Sequence, residues 1–155
     1  MNYATTLLVF LLINFGGLAI GAIWTNPGTS SQWYRSLTQP PWEPPGFVYG
    51  LAWTIIAITF SIMMSHFWVN KDFGPLAVFP IALLLNIMWS PVFFGLRSIW
   101  GGVAVLLALA AVIYYMTDFA RINYGWKIAW LGLPYFLWLM TATSISMFLA
   151  IKNEY

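Results

Sequence analysis

Apolar residues run almost unbroken along this chain, and the pattern is interrupted by charge rather than by a helical or strand period. Charge-free runs cover residues 1–34, 44–70, 73–96, 98–117 and 128–151. Roughly 20 apolar residues, rising about 1.5 Å each, cross a hydrocarbon core about 30 Å thick, and each of the five runs is long enough to do so. An unpaired charge at mid-membrane costs about 2.5–3.5 kcal/mol on insertion scales, so the charges mark where the spans end. The pattern predicts an all-α integral membrane bundle, one domain over residues 1–155, with five transmembrane helices near 3–24, 47–68, 76–96, 100–118 and 127–150.

Three connections hold only turn residues, as up-down neighbours require. The first, over residues 25–46, is longer. A connection of that length in a compact domain is usually functional or disordered, and Trp33, Tyr34, Leu37 and Trp42 are anchors that a disordered segment would not carry. Within it, Gln39-Pro-Pro-Trp-Glu-Pro-Pro-Gly46 has four prolines without backbone donors, so it is expected to run extended as a stiff strap across one end of the bundle. The expectation is a lid with the indoles of Trp33 and Trp42 turned inward over a pocket. Pro91 and Pro134 are expected to bend their helices by freeing a carbonyl four residues back. The first span lacks the basic start of a signal peptide and is read as a mature helix, with Gly17 and Gly21 spaced for close helix approach.

Composition sharpens the picture. Only 6% of residues are charged, against about 25% in soluble domains, while 61% are hydrophobic and the mean hydropathy is +0.80. A net charge of +2 makes no basic face for nucleic acid. Without cysteine, disulfides, zinc-thiolate sites, iron–sulfur clusters and thiol nucleophiles are excluded together. Orientation by the positive-inside rule is tied, with Lys71, Arg121 and Lys127 on one side and Arg35, Arg97 and Lys152 on the other.

Candidate chemistry is sparse. The acids Glu43, Asp72, Asp118 and Glu154 fall in loops, at span ends or at the C-terminus, and the single histidine, His66, has no ligand-spaced companion. What remains within the spans is aromatic and uncharged polar. Tyr49, Trp53 and Phe60 share one face of the second helix; Asn86, Trp89 and Ser90 share one on the third; Tyr135, Trp138 and Ala142 share one on the fifth. Trp24, Trp68, Trp126 and Trp130 suit an interfacial belt. Trp53, Trp89 and Trp138 lie too deep for one, and either pack between helices or wall a cavity.

At these residues the chain resembles the translocator protein family, also known as tryptophan-rich sensory proteins or peripheral-type benzodiazepine receptors. Gly16-Gly17 with Gly21-Ala22 resembles the family's glycine-rich start. Trp33-Tyr34-x-x-Leu37-x-x-Pro40-x-Trp42-x-Pro44-Pro45, followed by Trp53, is similar to its signature loop and second helix. Leu85-Asn86-x-x-Trp89-x-Pro91-x-Phe93-Phe94-Gly95 looks like its third helix, and Pro134-Tyr135-x-x-Trp138 with Ala142-Thr143 like its fifth.

The resemblance implies a five-helix bundle, usually a homodimer, that binds porphyrins such as protoporphyrin IX and aromatic drug-like molecules beneath the first loop. Carried over by position, the ligand-binding residues would be Trp33, Tyr34, Trp42, Trp53, Asn86, Trp138 and Ala142. Arg35 is added as the only cation in the loop able to meet a propionate. No catalytic residue, metal or required cofactor is assigned; porphyrin is the ligand. Ser146 stands where many members have Asn, and Met147–Ile151 departs from the mammalian sterol motif, although Val112-x-x-Tyr115-x5-Arg121 fits a sterol-type spacing. The family places the protein in a bacterial inner membrane or, in eukaryotes, the mitochondrial outer membrane. Two other classes stay open: light-dependent porphyrin breakdown, as reported for some bacterial members, and a purely structural membrane-assembly role.

Overall fold

The structure, a computed structural model, describes residues 2–153, so the acid expected at Glu154 lies outside the described residues. Five helices long and apolar enough to cross a membrane account for most of the chain. α1 (Tyr3–Thr29) is capped by Asn2, whose Oδ1 accepts from the Thr5 amide at 2.9 Å. α2 (Gln32–Ser36) is a single short turn inside the first connection. α3 (Gly46–Asn70) and α4 (Phe73–Ser90) follow, and α4 widens into a π turn over Pro91–Gly95. α5 (Ile99–Tyr124), the short α6 (Trp126–Ala129) and α7 (Leu133–Asn153) complete the chain.

Several boundaries move outward from the charge-based expectation. α1 continues through Pro27, whose missing N–H frees only one carbonyl in the helix's last turns. α5 continues past Asp118 because that carboxylate pairs with Arg121 at 2.7 Å one turn on, where both are partly exposed. A charge therefore ended the apolar stretch without ending the helix. Pro134 does not bend α7: it sits in the first turn, where the missing N–H had no helical partner to lose. Pro91 does distort its helix, giving a π turn closed by the Leu96 amide on the Pro91 carbonyl at 2.9 Å.

Contacts run in a ring, α1 to α4, α4 to α5, α5 to α7, α7 to α3 and α3 back to α1. The two halves of this ring differ. Toward the α5 C-terminus, Met63, Met64, Phe67, Ile113, Met116 and Ala120 fill the centre completely. Unbranched methionines suit such an irregular space. Asn14 donates to the Ser61 hydroxyl at 2.8 Å, a polar tie between α1 and α3 in the apolar interior. In the opposite half the helices carry glycine, serine and threonine at facing positions, and the ring is hollow.

Small residues on α1 do their packing inside the bundle. Gly17 and Gly21 are buried, and a Cβ on Gly17 would come within 2.9 Å of Leu83 on α4. Ala104 and Ala108 on α5 instead face outward and are exposed. Gly17→Leu is therefore expected to cost about 1–3 kcal/mol by overpacking, whereas Ala19→Leu, at an exposed position on the same helix, stays within about 0.5 kcal/mol as a surface change. Unfolding of the two variants in one detergent checks this; equal losses would contradict the placement of Gly17.

The strap, residues 37–45, is non-helical as expected but does not run extended throughout. It folds back in a turn closed by the Glu43 amide on the Pro40 carbonyl at 3.1 Å. Its near end is fixed by α2, whose cap Ser31 accepts from the Tyr34 amide. Its second residue, Thr38, is tied to Asn153 at the end of α7, which accepts from the Thr38 amide at 2.8 Å and donates to the Thr38 carbonyl at 3.3 Å. Each bond is worth about 0.5–1.5 kcal/mol net, so Asn153→Ala is expected to speed amide exchange in residues 37–45 about tenfold or more without lowering the melting temperature appreciably. Unchanged exchange would show that the strap is held by other contacts.

Candidate ligand-binding site

Beneath the strap lies a cavity of about 680 Å³, within the usual range for small-molecule sites. Four spans and the strap build it. α1 contributes Gly17, Gly21 and Thr25, whose missing or short side chains leave the space open. α3 contributes Tyr49, Gly50 and Trp53 from one face, and α4 contributes Asn86, Trp89 and Ser90 from one stripe. The π turn then swings Phe93 and Phe94 to the lip, and α7 supplies Ala142, Ile145, Ser146 and Leu149. Phe15 on α1 and Gly50 on α3 line the space and are also exposed on the outside of the bundle.

Aromatic rings dominate the walls. Trp89 stacks on Phe93 with centroids 5.1 Å apart, and Phe94 stands edge-on to both. Trp53 is held edge-on against the fully packed Tyr135 at 5.8 Å. On the α1 side, Gly28 admits the Phe94 ring, which any Cβ there would strike. Thr25 and Ser90 share a hydrogen bond at 2.9 Å across the α1–α4 seam.

The polar end lies under the strap. Tyr34 Oη donates to Glu43 Oε1 at 2.8 Å, and Tyr49 stands beside the same carboxyl group. Burial, followed by the hydrogen bond to Glu43 and its charge, pushes the Tyr34 phenol well above its ordinary range, so it remains a donor. Glu43 is the only carboxylic acid among the described lining residues, and no Lys, Arg or His joins it there.

The residues singled out from the sequence divide into two groups. Tyr34, Trp53, Asn86 and Ala142 meet on the cavity wall. Trp33, Arg35, Trp42 and Trp138 do not line it. Trp33 packs at 5.7 Å on the outer side of Phe93 and supports the wall from behind. Trp42 is half exposed and rests edge-on against Phe148, because the Pro40–Glu43 turn sends its indole outward and brings the next residue, Glu43, in. Arg35 is exposed on α2. Trp138 stands behind Tyr49 at 5.2 Å and borders a separate, outward-facing depression of about 250 Å³ between α3 and α7. The inward carboxylate of Glu43 was missed, since acids in loops read as solvated; its place between two Pro-Pro pairs was the available signal. Trp89, Phe93 and Phe94 carried the signal of a shared stripe next to Pro91.

With this geometry in view, the chain matches the TspO/MBR family over residues 8–151. It is similar to Protein CrtK of Rhodobacter capsulatus, 31% identical over 83% of this chain and 80% of that protein. It is also similar to the Tryptophan-rich protein TspO of Archaeoglobus fulgidus, at 27% identity over 99% and 97% of the two chains. The Translocator protein of Bos taurus is 32% identical over 85% of this chain and 80% of its own. The match covers all five spans, the strap and the cavity they enclose: this integral membrane protein belongs to the TspO/MBR family.

Proposed function

We propose that the protein is a membrane receptor or carrier whose cavity takes up a flat, largely aromatic molecule of the tetrapyrrole class, protoporphyrin IX being the reference ligand. The observation that carries this reading is the aromatic-walled space of about 680 Å³ beneath a fixed strap. Indole and phenyl faces match a ligand that is mostly π-surface, and offset or edge-on contacts are their favoured geometry. Because Phe15 on α1 and Gly50 on α3 both line the cavity and are exposed, the seam between these two helices is the proposed route for a hydrophobic ligand from lipid. The name translocator protein, borne by relatives, accords with a carrier. Ligand and surrounding lipid are the partners in this reading, and no resident cofactor is needed. The outward Ala104 and Ala108 are the proposed contact for a second copy, with close approach of small residues as the driving packing.

Placement separates the deep tryptophans. Removing one stacked indole costs about 1–3 kcal/mol by analogy with nucleobase stacking, or roughly five- to 150-fold in affinity. Trp53→Phe is expected to weaken protoporphyrin binding by that factor, while Trp138→Phe and the belt control Trp130→Phe change it by less than about threefold, given their positions off the wall. Absorption titration of the Soret band checks the order. Equal binding by all three variants would place the ligand elsewhere.

A further inference from the structure

We infer that the strap end of the cavity recognises a positively charged or N–H-bearing edge of a flat aromatic ligand and rejects a carboxylate there. The inference rests on the cavity being the ligand site and specifies which chemistry that site selects. Glu43 is half buried, and an ionised carboxylate has about four acceptor positions. Tyr34 fills one of them at 2.8 Å, and the Tyr49 phenol stands close enough to occupy a second, which leaves about two. Arg121–Asp118 is the sole ion pair among the described residues, so Glu43 has no cation within 4.0 Å. Arg35, the nearest base along the sequence, and Lys152, at the strap end of α7, are both exposed and neither lines the cavity.

A carboxylate taken partly out of water and left without a counter-charge is costly unless a partner arrives. Here the remaining acceptor sites open toward a space walled by aromatic rings, and ring faces also attract cations. A planar cation therefore satisfies both features at once: its face lies on Trp53 and its charged edge meets Glu43. An anionic group at the same place would meet the acid with nothing to offset it.

Three ligands of nearly equal shape test this: the aminoacridinium cation, neutral acridine and the acridine carboxylate anion. Each is titrated by calorimetry into the full chain in zwitterionic-lipid nanodiscs, which present no net surface charge. Wild type is expected to bind the cation about tenfold or more tighter than neutral acridine, as a charge-assisted hydrogen bond provides, with the anion weakest. Glu43→Gln is expected to remove the cation's advantage over neutral acridine, with helical circular dichroism and the melting temperature reporting that the variant is folded. Trp53→Phe should weaken all three. If the three ligands bind wild type equally, or if Glu43→Gln weakens them equally, the charge selection is overturned while the aromatic cavity stands. If none binds, or if Trp53→Phe affects none, the cavity itself is not the site and the inference fails with it.

Discussion

Inside hydrocarbon every backbone amide and carbonyl needs an internal partner, because each unpaired group costs several kcal/mol. This constraint decides where irregular chain can sit. The spans are helical nearly throughout, and the departures gather at one end of the bundle. They are the Pro91–Gly95 π turn and the proline strap. Proline is suited to that place, since it removes donors that would otherwise demand partners. Among the amides that remain in the strap, those of Leu37, Thr38 and Glu43 are met by the Tyr34 carbonyl, Asn153 and the Pro40 carbonyl.

The same division organises the interior. The half opposite the strap is closed by Met63, Met64, Phe67, Ile113 and Met116, all fully buried. The strap half exchanges such side chains for Gly21, Gly50, Ser90 and Ala142, and the volume released is the cavity. Aromatic residues then supply rigid walls, with Trp33 and Tyr135 bracing Phe93 and Trp53 from behind. One end thus stabilises the bundle and the other leaves room for a ligand.

Much of this was legible in the residues. Charge-free runs located the five spans, the prolines marked the strap, and the stripe Asn86, Trp89, Ser90 marked a wall. Legibility failed where the outcome depends on the direction of a turn or on helix rotation. The Pro40–Glu43 turn reverses Trp42 and Glu43, and no local pattern specifies its sense. Tyr49 and Trp138 face each other, yet only the rotation of α3 against α7 decides which of them reaches the cavity. Helix ends were misjudged for a different reason: a helix projecting beyond the hydrocarbon tolerates charge, as Asp118 and Arg121 on α5 do.

Two spaces compete for the ligand, the strap-end cavity and the outward depression between α3 and α7, and the aromatic walls favour the first. A protoporphyrin analogue bearing a photoreactive diazirine, crosslinked in lipid and mapped by mass spectrometry, distinguishes them directly. Adducts are expected on residues lining the cavity, such as Trp53, Asn86 and Ala142, and unlabelled protoporphyrin should suppress them. Adducts confined to Ala52, Leu137 and Thr141, which border the outer depression, would contradict that placement.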